Sequence, residues 1–312
     1  MRAVVLNEVP AAPVVAEVGA PRPQAGEPLV KVAASPVNGF DAATAAGYLQ
    51  GLMEHRFPLV VGKDFAGAVE ALGEGVEGFA VGDSVFGVIM KPFLGTGSLA
   101  EYVTVTAGYG VAHIPAGLDI RDAGVLGLAG TAAFDSLTAL DLAKNETVLV
   151  SGATGGVGSL AVQLAVASGA RVIATARPGA EADFVTSLTD AGVSVVDFTG
   201  DLAGQIRTLA PEGVDAIVHL AGDGAELAGL LKPGGRIAST TGLTQEAVAG
   251  QDVAVHGVMA DANARTLTAL AEKAASGALR VPVSATFPLE RAADAFAAFG
   301  GGTLGKIAVT CS

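Results

Sequence analysis

From residue 1 to about 115, apolar side chains fall in short runs cut by proline and glycine. Runs at 3–6, 28–34, 66–72, 84–90 and 99–106 have the length and β-branched content of strands, and their spacing predicts a barrel-like antiparallel domain. The turns between them carry Gly73-Glu74-Gly75 and Gly82-Asp83, where glycine removes the cost of a positive φ.

Beyond about Ile120 the pattern changes to helical stretches alternating with strands. Strands are predicted at 147–151, 171–176, 194–197, 216–220, 236–240 and 252–258, with helices at 160–168, 180–190, 202–209 and 225–231 between them. Strands joined by crossover helices make a doubly wound parallel sheet, so the fold class is α/β. A further helix at 262–276, strands at 281–287 and 306–310 and a helix at 289–299 predict that the tail returns to the first domain.

Composition narrows the function classes. The chain has 312 residues, 51% of them hydrophobic, 43 glycines and no tryptophan, which describes a compact two-domain protein and not a disordered one. A net charge of −13 with no lysine or arginine block argues against nucleic-acid or anionic-membrane partners. The first residues, Met1 to Glu8, hold too short an apolar stretch for a secretory signal, and no uncharged run reaches membrane-spanning length, so the expected location is cytoplasmic. Cys311 is the only cysteine, which leaves no intrachain disulfide and no cysteine-based zinc site.

The segment Ser151-Gly152-Ala153-Thr154-Gly155-Gly156-Val157-Gly158 comes after the apolar run 147–150 and precedes a helical one. Strand, glycine turn and helix in that order form a pyrophosphate cradle: absent Cβ atoms at Gly155 and Gly158 let phosphates approach, and the helix presents unpaired N–H groups. Ala153 stands where the dinucleotide fingerprint has its first glycine. The second strand ends Thr175-Ala176-Arg177 with no carboxylate to accept from a ribose, and Arg177 offers a charged planar fork for a 2′-phosphate, which points to NADPH. The competing reading of Arg177 is a solvated loop residue ahead of Pro178.

The stretches Pro36-Val37-Asn38-Gly39-Phe40-Asp41, Gly62-Lys63-Asp64-Phe65-Ala66-Gly67, Gly82-Asp83-Ser84-Val85-Phe86-Gly87, Gly97-Ser98-Leu99-Ala100-Glu101-Tyr102, Gly130-Thr131-Ala132-Ala133, Lys232-Pro233-Gly234-Gly235-Arg236 and Gly305-Lys306-Ile307 add to the glycine turn. With them the chain resembles the medium-chain dehydrogenase/reductase superfamily, in its zinc-free, zeta-crystallin-like quinone oxidoreductase branch, over essentially its full length. The resemblance implies a GroES-like catalytic domain at 1–118 and 259–312, a six-stranded Rossmann domain at 119–258, a cleft between them and a homodimer joined through the last Rossmann strand. Zinc-dependent relatives place a cysteine where this chain has Asn38 and a Gly-His-Glu where it has Gly62-Lys63-Asp64, so no metal is expected. His55, His113, His219 and His256 are scattered, and His219 reads as a core residue.

On that resemblance, the expected reaction is hydride transfer from NADPH to a small-molecule electron acceptor that is already electrophilic, a quinone or an activated carbonyl. The close alternative is an enone or enoyl double-bond reductase, and a different class is a redox-sensing or structural NADPH-binding protein. Asn38 and Thr131 are expected near the nicotinamide, and Tyr48 at the substrate mouth as a hydrogen-bond or proton donor. Lys63 is either a cation that stabilises an enolate or a solvated lysine. The cofactor is expected to meet Ser151, Ala153, Thr154, Gly155, Gly156, Val157 and Gly158 at the turn. Thr175, Arg177, Ala221 and Thr240 belong to the same set, with Asn38, Thr131 and Lys306. Gly39 replaces a proline common in the family, which loosens the loop that holds Asn38.

Overall fold

A computed structural model describes residues 1–311. The chain forms two compact units, residues 1–128 with 262–312 and residues 129–261.

The second unit is built on a six-stranded sheet in the order Ser194–Val196, Arg171–Thr175, Thr147–Ser151, Val214–His219, Leu231–Ser239, Val253–Gly257, every neighbouring pair parallel. Its inner strands are apolar on both faces because helices cover both: Val148, Leu149, Val150, Ile217 and Ile237 are completely buried. Strand order reverses at Thr147–Ser151, the place where a Rossmann-type sheet opens a crevice beyond its carboxyl ends. The helix at 180–190 is shorter than predicted, Ala180–Thr186, since Ser187 caps it and its hydroxyl donates to the Phe184 carbonyl at 2.7 Å. The helix after the glycine turn starts earlier than predicted, at Gly156–Ala167.

The first unit has a seven-stranded and a four-stranded sheet. The larger runs Val283–Pro288, Lys306–Thr310, Pro28–Pro36, Asp64–Leu72, Ser84–Val88, Val111–His113, and Tyr102–Thr104 pairs with Pro28–Pro36. The smaller runs Val14–Glu17, Arg2–Leu6, Glu54–Val60, Phe93–Thr96. The antiparallel expectation needs correcting at two places: Glu54–Val60 with Phe93–Thr96, and Val283–Pro288 with Lys306–Thr310, pair in parallel. Four strands were not predicted. Val14–Glu17 is an exposed edge, Glu54–Val60 carries three charged or imidazole side chains and Pro58, and Phe93–Thr96 and Val111–His113 are short. Phe65, Phe86, Leu6, Leu59 and Leu99 are fully buried in this unit.

The helix Ile120–Leu140 contains the point at which the two units divide, with the second unit beginning at Ala129 and not at the expected 119. By length and composition it is long enough and apolar enough to cross a membrane, but 67% of its most apolar window is buried inside protein, the pattern of a core helix.

Candidate active site

The glycine turn lies at the carboxyl end of the central strand and is braced from inside. Gly152 takes φ +70°, and its N–H donates to Thr175 Oγ1 at 2.9 Å. Ser151 Oγ accepts from Leu220 N at 3.1 Å and Ala221 N at 3.4 Å. Ser151 and Thr175 are therefore buried struts that hold the turn on its neighbouring strands. Ala153 is completely buried, whereas Thr154, Gly156 and Val157 reach the surface in part.

The two glycines singled out for phosphate approach do different work. A Cβ on Gly158 would lie 2.1 Å from Gly152 O and 2.7 Å from Ala153 Cα, so this glycine lets the helix pack onto the turn and does not face a ligand. A Cβ on Gly155 would meet nothing nearer than Gly152 O at 3.5 Å, which leaves the outer face open. Gly155 is the N-cap and no side chain caps the helix, so the first N–H groups of Gly156–Ala167 are available to an anion.

Thr240 N donates to the His219 carbonyl at 3.2 Å, and Ala221 packs 3.1 Å from where a Gly152 Cβ would stand. His219 is a satisfied core residue, its ring nitrogens facing Ser239 Oγ at 3.0 Å and Gly222 O at 3.1 Å. Arg177, largely exposed, pairs with Glu181 at 2.5 Å. Thr131, inside the Ile120–Leu140 helix, is completely buried, and its hydroxyl has no hydrogen-bond partner among the described residues. An orphaned buried hydroxyl and an open, uncapped glycine turn within one unit are the features a dinucleotide would use.

In the other unit, Asn38, Lys63 and Lys306 meet two carboxylates that sequence reasoning passed over. Asn38 is the N-cap of the helix Gly39–Ala45, and its backbone N–H donates to Asp41 Oδ2 at 2.8 Å. The other Asp41 oxygen accepts from Gly62 N at 3.1 Å. Asn38 Nδ2 donates to Asp64 Oδ2 at 2.6 Å, while Lys306 Nζ donates to Asn38 Oδ1 at 2.5 Å. The Leu128 N–H closes the cluster on Asp64 Oδ1. Gly62 takes φ +109°, and a Cβ there would lie 2.5 Å from Leu99 N, so only glycine brings Lys63 and Asp64 to this place.

Asn38, Asp41, Asp64 and Lys306 are buried, and Lys63 is half-buried. Burial pushes the Asp41 carboxyl up to about 7 and raises Asp64, while burial lowers the Lys306 and Lys63 ammoniums. Lys306, expected among the cofactor contacts, is 4% exposed and its ammonium is engaged by Asn38. Lys63 is not a solvated lysine: its ammonium donates to the Ile89 carbonyl and lies 5.0 Å from the centre of the Phe40 ring. Beside it is a shallow depression lined in part by Phe40, Asp41, Lys63, Ile89 and Phe93. Tyr48 is 77% exposed in the turn after the Asn38 helix, and it is not among the residues lining that depression. The Asp41 signal was legible as an acid three residues after an N-cap; Asp64 stands in the Gly62-Lys63-Asp64 stretch, which was read only for its lost zinc ligands.

Both the sequence and the fold have known relatives. Residues 24–116 match the alcohol dehydrogenase GroES-like domain, and residues 182–309 match the zinc-binding dehydrogenase family. The chain is 29% identical to a chloroplastic quinone-oxidoreductase of Triphysaria versicolor over 94% of its length and 92% of the relative's. It is 34% identical to a chloroplast envelope quinone oxidoreductase homolog of Arabidopsis thaliana over 66% of its length, a match spanning 62% of that protein. A quinone oxidoreductase structure from Coxiella burnetii superposes with a TM-score of 0.88 at 26% identity, covering 100% of this chain and 99% of that one. A mycobacterial protein solved in complex with NADPH superposes with a TM-score of 0.87 at 25% identity, covering 99% of each chain.

The zinc in the name of the second family requires a donor set that these residues do not supply. Zinc takes thiolate, imidazole or carboxylate ligands, and a catalytic site needs three of them. Among the described residues no group of three or more His, Cys, Asp or Glu is placed to hold a metal ion. At the cluster an amide stands at Asn38, and a lysine ammonium already lies on its oxygen.

Proposed function

Since the chain belongs to the medium-chain dehydrogenase/reductase superfamily, among its quinone oxidoreductase-like members, we propose that it is a zinc-independent, NADPH-dependent oxidoreductase acting on a quinone or activated carbonyl. The observation that carries the zinc-free reading is the Lys306 ammonium on Asn38 Oδ1, an internal cation on an amide where a metal centre would need a thiolate, imidazole or carboxylate ligand. Bound NADPH supplies the hydride.

The chain's own residues have restricted tasks. The open Gly155 face and the first turn of Gly156–Ala167 receive the pyrophosphate, and Arg177 meets the adenosine end. The unpartnered Thr131 hydroxyl is free to bond the nicotinamide side of the cofactor. Lys63, beside the depression, offers positive charge to an oxygen that gains negative charge as the acceptor is reduced. Tyr48 is a proton donor open to solvent. The strand Val253–Gly257 ends its sheet with one edge unpaired among the described residues, which supports a homodimer formed by a second copy at that edge.

The test is NADPH oxidation against a panel of quinones, enals and aldehydes, with and without a chelator. Turnover on a quinone or enal that chelation leaves unchanged is expected. Loss of turnover on chelation would overturn the zinc-free reading, and NADPH binding without turnover on any acceptor would move the protein to the sensor class.

A further inference from the structure

Arg177 stands just beyond the strand Arg171–Thr175, and its fork is already engaged. Its Nε lies 2.8 Å and its Nη2 2.5 Å from Glu181 Oε1, and its own backbone N–H donates to Glu181 Oε2 at 2.8 Å. The carboxylate is thus gripped by side chain and main chain together, with 17% of the Glu181 side chain exposed against 62% for Arg177. The Arg177 hydrogen bond holds the Glu181 carboxyl below its ordinary range, so the pair is ionised at neutral pH.

A second acid lies at the end of the neighbouring strand, where the Ala176 N–H donates to the Val196 carbonyl at 3.0 Å. Asp197, just after the strand Ser194–Val196, acts on Glu181 as a like charge. The Thr199 hydroxyl and N–H bond it at 2.7 and 2.9 Å and hold it ionised as well. The Arg177–Glu181 pair therefore has a second carboxylate near it, felt at Glu181. A 2′-phosphate carries up to about two negative charges and must approach against both acids, using only the donors of Arg177 that Glu181 leaves free. A 2′-hydroxyl carries no charge and meets no such opposition.

We propose that Glu181 is the specificity-determining residue at the adenosine end of the cofactor: paired with Arg177, it holds the preference for NADPH over NADH to a modest value and keeps NADH usable. The proposal rests on the reading of the glycine turn as a dinucleotide site. Arg177 supplies the attraction for phosphate, and Glu181 sets how much of it the cofactor feels.

Dissociation constants for NADPH and NADH, measured by calorimetric titration of the full chain at low ionic strength, test it. Glu181→Gln keeps an acceptor for the Arg177 N–H and removes the charge; it should tighten NADPH roughly tenfold while NADH changes by less than about twofold. Asp197→Asn, which leaves the Arg177–Glu181 pair in place, should shift the ratio in the same direction by about two- to threefold. If Glu181→Gln leaves NADPH unchanged or weakens it while wild type binds NADPH and Arg177→Ala weakens that binding, Glu181 merely steadies the arginine and the proposal fails with the cofactor reading intact. If wild type binds neither dinucleotide, both fail together.

Discussion

Lys306 Nζ lies 2.5 Å from Asn38 Oδ1, joining residues 268 positions apart in a region where neither is more than 7% exposed. The third member, Asp64, is completely buried and holds the Asn38 amide from its other side. A buried charge left without its partner costs far more than the pair contributes, because water cannot replace the lost contact. Lys306→Met should therefore lower unfolding stability in urea by roughly 3–5 kcal/mol. Adding Asp64→Asn should return part of that loss, since it removes the stranded carboxylate. A Lys306→Met variant as stable as wild type would mean that the cluster does not hold this unit together.

Asp41 makes the same region sensitive to pH. Burial pushes its carboxyl up to about 7 despite the hydrogen bond from the Asn38 N–H, while in an unfolded chain it titrates near 3.9. Between those values the folded protein holds a proton that the unfolded chain lacks, so stability falls as pH rises through this window. The contribution is on the order of a few kcal/mol, and the raised Asp64 acts in the same sense. Asp41→Asn should flatten the fall in melting temperature between pH 5 and pH 7.5. An unchanged slope would assign the titration to another group.

The glycine turn separates folding from binding. Gly158→Ala drives a methyl into the Gly152 carbonyl, a backbone atom that has nowhere to move, and should destabilise the second unit by about 1–3 kcal/mol. Gly155→Ala places its methyl in ordinary contact distance at 3.5 Å and should leave the melting temperature within a degree or two. That methyl projects onto the face proposed for the pyrophosphate, so NADPH affinity should fall at least about tenfold. Calorimetric titration beside thermal melts distinguishes the two variants. Equal binding by Gly155→Ala and wild type would remove the pyrophosphate from that face.

How much of the fold and site was legible from sequence depended on whether the signal was local. Thr147–Ser151, Leu202–Leu209 and Lys306–Thr310 coincide with their predicted bounds, because each is a continuous run with a clear period between turn or cap residues. Glu54–Val60 was invisible for the opposite reason, since charges and a proline on a strand with few ladder partners leave no alternation to read. Motif spacing located Gly158 but not the direction in which its missing Cβ would point. The Lys306–Asn38 contact is a consequence of register: Ala308 pairs with Pro36 in an antiparallel ladder, which brings residues 306 and 38 opposite each other. The Arg177–Glu181 pair is close in sequence, but Arg177 precedes the helix Ala180–Thr186, so helical i,i+4 periodicity did not reveal it.

Thr131 is where stability and activity should part company. Its hydroxyl is buried in the Ile120–Leu140 helix without a partner, an arrangement that costs stability unless a bound ligand supplies the missing hydrogen bond. Thr131→Val keeps the shape and removes that polar atom. The apo protein should be as stable as wild type or more stable, by up to about 1 kcal/mol. NADPH should then stabilise the variant less than it stabilises wild type, and kcat/KM should fall by roughly tenfold or more, since a hydrogen bond worth about 1–2 kcal/mol is lost in the complex. Melting temperatures with and without NADPH, together with steady-state rates on the best acceptor from the panel, provide both measurements. A variant that loses stability without NADPH and keeps its full kinetic constants would show that the hydroxyl serves the helix and not the cofactor.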